Sequence, residues 1–105
     1  MTVEEVLEAG GEADDVLRDV VRALQEEGAD WVGIAFVEGD RLELGPSIGG
    51  EPPSELEQQP VEWQGSRVAE LHAAGVDSQR LARVAALIAP YCLVGWDTGG
   101  EPWNP

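Results

Sequence analysis

The sequence predicts an α+β fold. It reads as one antiparallel β-sheet of two hairpins, about four strands or more, with an N-terminal and a C-terminal helix packed together on one face. Three observations carry this. Two segments, 12–27 and 78–92, repeat apolar residues at helical spacing. Between them lie two pairs of short runs, each pair joined by a turn that contains glycine. The 105 residues make one domain, 1–105, with no internal repeat.

The first nine residues read as a short helix. Thr2 followed three positions later by Glu5 has capping-box spacing, and Val3, Val6 and Leu7 share a face. Gly10-Gly11 breaks it. From Glu12 onward Val16, Leu17, Val20, Val21 and Leu24 form one stripe of a 3.6-residue helix. Glu12, Asp14 and Asp15 occupy its first turn, where the helix dipole favours acids, and Gly28 is its stop. Trp31–Val37 is a strand apolar on both faces, hence central and covered on both sides. Glu38-Gly39-Asp40 turns the chain into Arg41–Leu44, whose alternation places it nearer an edge. Gly33 and Ala35 share one face of the first strand and leave room there for a bulky group.

Gly45–Gln59, rich in glycine and proline, reads as a loop. Val61–Trp63, a Gln64-Gly65 turn and Arg67–Leu71 form the second hairpin. Strand alternation points Val68 and Glu70 one way and Ala69 and Leu71 the other. Asp77 or Ser78 caps the last helix, whose stripe is Leu81, Val84, Ala85, Ile88 and Cys92. Pro90 falls inside that pattern, so the helix either ends near Ala89 or continues kinked. The tail 95–105 carries Trp96 and Trp103. Trp103 either docks on the sheet or anchors a partner subunit.

Charge excludes several partner classes. Twenty-one acids face six bases, all arginine, for a net charge of −15. A phosphate backbone needs a concentrated cationic surface to release its counterions, so DNA, RNA and anionic membranes are poor partners. No apolar run approaches the ~18 residues of a membrane span, and the acidic first residues do not read as a secretory signal. The single cysteine, Cys92, forms neither an internal disulfide nor a thiolate zinc cluster. The expected location is the cytoplasm.

The run Ala29–Val37 followed by Leu42-Glu43-Leu44-Gly45-Pro46 resembles the first hairpin of a small GAF domain after its N-terminal helix. Val61–Ile88 resembles that family's last strands and C-terminal helix. The resemblance implies a last strand beside the first, two long helices on one face and, often, a homodimer through those helices. The chain departs from the family between the hairpins, where only 45–59 stands in place of the usual pocket walls. The Asn-Lys-Phe-Asp-Glu signature of cyclic-nucleotide binders is impossible without lysine. The cysteines of bilin attachment and of methionine sulfoxide reductase chemistry belong to the missing region, and Cys92 matches neither.

Each candidate site has a plain structural alternative. Asp97-Thr98-Gly99 mimics the aspartic-protease triplet, but the rigid β scaffold that two carboxylates sharing a proton require does not follow it. His72, the only histidine, would need Ser66 or Asp77 to converge on it; otherwise it is a strand-end residue half in solvent. Asp14, Asp15 and Asp19 on a smooth helix face do not make a calcium cage, and no metal is expected. Cys92 lies on an apolar stripe and reads as core. Gly49-Gly50 lacks the lysine and helix start of a phosphate loop.

The sequence names no reaction and calls for no cofactor. It supports a non-catalytic GAF-like module of the sensor type that binds a small molecule or a protein. The expected pocket lies between the sheet and loop 45–59, near Phe36, Leu44, Ile48 and Trp63, with Arg41 and Arg67 as anchors for an acid. The expected homodimer uses the stripe residues Val16, Val20, Leu24, Leu81, Val84 and Ile88. Two alternatives stand beside it: a methionine sulfoxide reductase-type enzyme borrowing Cys92 from a second subunit, and a purely structural dimerisation domain.

Overall fold

A computed structural model of the chain describes residues 2–92. Its elements are α1 (Val3–Ala9), α2 (Ala13–Glu26), β1 (Trp31–Glu38), β2 (Arg41–Ile48), β3 (Glu57–Trp63), β4 (Ser66–Ala74) and α3 (Ser78–Cys92). The strands form one antiparallel sheet in the order β2-β1-β4-β3. The last strand lies beside the first, and α2 and α3 share one face. The α+β class read from the sequence is the observed one.

Strand parity builds the core. Val32, Ile34 and Phe36 pair across the ladder with Ala73, Leu71 and Ala69, and Ala69 pairs onward with Val61. Opposed residues in an antiparallel ladder share a face, so one continuous apolar face meets the helices. The stripes of α2 and α3 close on it, and every residue of this set is under 5% exposed. Each large side chain so buried stabilises by roughly 1.5–3 kcal/mol.

The hairpins are longer than their periodicity suggested. β2 runs on through Gly45-Pro46 to Ile48, and β3 begins at Glu57, ahead of Pro60. The segment read as loop 45–59 therefore shrinks to 49–56. Both prolines sit on edge strands, where a missing N–H deprives no neighbour of a ladder bond. Between the hairpin strands Gln64 and Gly65 both take positive φ (53° and 86°), the pattern of a type I′ turn. β4 extends to Ala74, which moves His72 from a strand end into the strand.

The helix ends follow local chemistry. Thr2 and Glu5 form the complete capping box on α1. Asp77, rather than Ser78, caps α3, its Oδ2 accepting from the N–H groups of Gln79 (3.0 Å) and Arg80 (3.1 Å). α3 continues through Pro90 to Cys92.

Arg80 ties three helices. Its guanidinium donates to both carboxylate oxygens of Glu4 on α1 (2.7 and 3.0 Å) and of Glu27 at the end of α2 (3.1 and 2.9 Å). The Arg80 hydrogen bond holds the Glu4 carboxyl down at about 2, and bonds to Glu4 and then Glu27 raise Arg80 above its ordinary value. A carboxyl depressed on folding adds stability above its unfolded value near 4.5, and that stability is lost as pH falls through about 2. Glu4 is half exposed, so screening keeps the contribution on the order of 1 kcal/mol. In urea unfolding, Glu4→Gln should therefore destabilise at pH 7, and its difference from the parent chain should close between pH 5 and pH 2.

Candidate functional site

The sheet face opposite the helices carries the chemistry. Its rows follow from the register. Ser47, Gly33, His72 and Gln58 stand side by side across four strands, and Leu44, Ala35, Glu70 and Pro60 form the next row.

The space that Gly33 leaves is filled from within its own strand. The indole of Trp31 lies across Gly33, so that a Cβ there would overlap the far edge of the ring, and Leu44 Cδ1 would be 3.3 Å away. The ring is held at its other edge. Its Nε1–H donates to the Gly50 carbonyl at 2.9 Å, and Gly49, at φ +117°, passes so close that a Cβ would be 2.9 Å from Trp31 Cδ1. Gly49-Gly50 is thus a backbone cap on an indole. A phosphate loop needs different surroundings.

Beside this ring lies a line of charge. His72 Nε2 and Glu70 Oε1 are 2.9 Å apart, and Arg67 donates to Glu70 Oε2 at 2.6 Å. A carboxylate only accepts, so the imidazole proton belongs on Nε2. The His72 and Glu70 side chains are 16% and 14% exposed, well withdrawn from solvent. Residues two apart on a strand share a face, and that spacing was the available signal for this pair; the sequence reading sought partners at Ser66 and Asp77 instead. Ser66 lies six residues along the strand, ~20 Å away, and Asp77 is engaged in capping α3.

A groove of about 610 Å³ opens where the 49–56 loop meets the ends of β3 and β4. It is lined by Ser54–Gln58 and Ala73–Val76. Gln58 is the ladder partner of His72, so the groove borders the row that carries His72.

The six residues expected to line a pocket are not brought together. Phe36 points the other way and is 1% exposed in the core, its ring against Gly45. Ile48 and Trp63 are half-buried, packed against that same core. Leu44 lies on the outer face, 56% exposed. Arg41 is exposed and paired with Glu43 at 3.1 Å, and Arg67 is committed to Glu70. The reason is register: Phe36 pairs with Glu43 rather than Leu44, and the irregularity between Leu44 and Ser47 sets Leu44 beside Ala35 and Ile48 beside Val32, on opposite faces although four positions apart. The groove does lie beside the expected loop, but with other residues.

The expected interface residues are also reassigned. Val16, Val20, Leu24, Leu81, Val84 and Ile88 are each 0–1% exposed within a single chain, because the four-stranded sheet is wide enough to cover both stripes. Asp15 and Asp19 form i,i+3 pairs with Arg18 (3.2 Å) and Arg22 (3.1 Å). Among the described residues, no three His, Cys, Asp or Glu side chains are grouped to hold a metal ion. Cys92 is buried, and burial pushes its thiol up to about 12. Trp96, Trp103 and the Asp97-Thr98-Gly99 triplet lie outside the described residues. No described helix is long and apolar enough to cross a membrane.

Compared with known proteins, the chain matches no family model, no curated protein and no solved structure.

Two substitutions test these assignments. Gly33→Ala should swing the Trp31 ring off its Gly50 bond, cost about 1–3 kcal/mol in urea unfolding and change the near-UV circular dichroism. Leu81→Ala should cost about 2–5 kcal/mol with no change of mass in sedimentation. A shift in assembly state without loss of stability would return Leu81 to an interface.

Proposed function

We propose that the chain is a non-catalytic, GAF-like binding module of the sensor type, taking a small polar molecule in the groove between Ser54–Gln58 and Ala73–Val76. The groove itself carries the reading. Its volume, about 610 Å³, falls in the range of small-molecule sites, roughly 300–1,000 Å³. The small residues Ala73, Ala74 and Gly75 leave the groove open, and Ser54 and Gln58 supply a hydroxyl and an amide. Glu55 and Glu57 on a chain of net charge −15 favour a neutral or cationic ligand over an acid.

The strand order and the pairing of long helices on one face agree with what the GAF resemblance implies, and this supports the family reading. The reductase alternative is less favoured. Burial pushes the Cys92 thiol up to about 12, which disfavours the reactive thiolate, and Cys92 would have to leave the core to meet a second subunit.

The test is amide NMR with a library of neutral and cationic metabolites. Ligand-dependent shifts should cluster at residues 54–58 and 73–76, and filling the groove with Ala74→Leu should weaken binding tenfold or more. Shifts confined to the helical side, or none across the library, would leave only the structural-domain reading.

A further inference from the structure

The two edges of the sheet are finished differently. β3 carries Pro60 at its centre, an irregularity between Val61 and Glu62, and the acids Glu57 and Glu62, features that blunt an edge against further pairing. β2 has its proline and its irregularity in its second half, and its first half, Arg41–Leu44, is exposed at every residue. Leu42 and Leu44, at 41% and 56%, are the exposed large hydrophobic residues of the described chain. They share the outer sheet face, Leu42 standing beside Val37 and Leu44 beside Ala35. Their backbone groups are open as well. Glu38 and Arg41 close a two-residue turn at Gly39-Asp40, with Gly39 at φ +67°. The pair that closes such a turn is hydrogen-bonded, and bonded pairs alternate along the ladder. Arg41 and Glu43 therefore bond to β1, while Leu42 and Leu44 direct N–H and C=O away from the sheet, where no described strand takes them up.

We propose that the Arg41–Leu44 edge docks an extended segment of a partner protein, one that alternates apolar and basic residues and adds to the sheet as a fifth strand. Alternate residues of a strand lie ~7 Å apart on one face. Two apolar side chains of the incoming strand sit beside Leu42 and Leu44, and its N–H and C=O groups at those positions pair with theirs. The basic residue between them falls on the other face, next to Glu43. Charge selects this occupant. Glu38, Asp40 and Glu43 outnumber Arg41 around the edge, and the chain as a whole carries −15. That field draws in a cationic segment and opposes a second copy of the chain. The site lies at the opposite edge of the sheet from the ligand groove and does not depend on it.

The probe is a capped octapeptide of alternating lysine and valine, added to saturation to the full nitrogen-15-labelled chain and followed by amide hydrogen exchange. The Leu42 and Leu44 amides should exchange at least tenfold more slowly with the peptide present. Those of Arg41 and Glu43, already bonded to β1, and of Gln59 and Glu62 on β3 should change little. The same peptide methylated on its valine nitrogens keeps every charge but loses the donors that face Leu42 and Leu44, and should bind at least tenfold more weakly. Equal binding of the two peptides reduces the effect to bulk charge and overturns the proposal. So does protection on β3 in place of β2, or none on either. Slow exchange of Leu42 and Leu44 before any peptide is added overturns it as well. If that protection grows with chain concentration the edge belongs to a second copy, and if it does not, to another part of the same chain.

Discussion

The first strand of the sheet is apolar on both faces, and the remaining architecture adjusts to that. One face presents Val32, Ile34 and Phe36, which draw down the stripes of both long helices. The other presents Trp31, Gly33 and Ala35, a face with almost no polar atoms of its own. A strand of this kind is stable only where neighbours pair both its edges and material covers both its sides. That requirement puts β1 between β2 and β4 and leaves the more polar strands, each carrying a proline, at the edges.

Trp31 shows how the outer side is managed. Its indole occupies volume that its own strand vacates at Gly33, and a two-glycine segment passes over it closely enough to accept its N–H. Three glycines thus serve one tryptophan. A methyl at Gly33 would run into the ring itself and one at Gly49 into the Asp30 carbonyl, while Gly50 contributes the carbonyl that accepts the indole N–H.

Six arginines among so many acids are used sparingly. Four make pairs with a carboxylate two or three residues away, contacts that are mostly solvated and contribute little. The pairs that join elements distant in sequence are those of α3: Arg80 reaches Glu4 and Glu27 together, and Arg83 lies 3.6 Å from Glu4 as well. Arg80 locates α1 beside the ends of α2 and α3, while Val3 and Val6 supply the apolar contact that holds it there. Specific placement comes from charge here, and most of the stability comes from burial.

The fold class, the three helices, both hairpins, the capping box at Thr2 and Glu5 and the core role of Cys92 were legible in the residues. Periodicity and capping are local, with the information for each contained within a few positions. The strand lengths were less legible, because Gly45-Pro46 and Pro60 look like breakers until their place at a sheet edge is known. The site was least legible. Phe36 and Leu44 are both apolar and close in sequence, yet they fall on opposite sides of the sheet. Glu70 and His72 meet because one strand face holds both, and Gln58 joins them through a ladder register set by long-range pairing. Sequence alone determined which segments become helices and strands, since that depends on short-range spacing. The tertiary structure decided which side of the sheet each residue serves and which stripe is buried, since those depend on strand order and on how much area the packed layers cover.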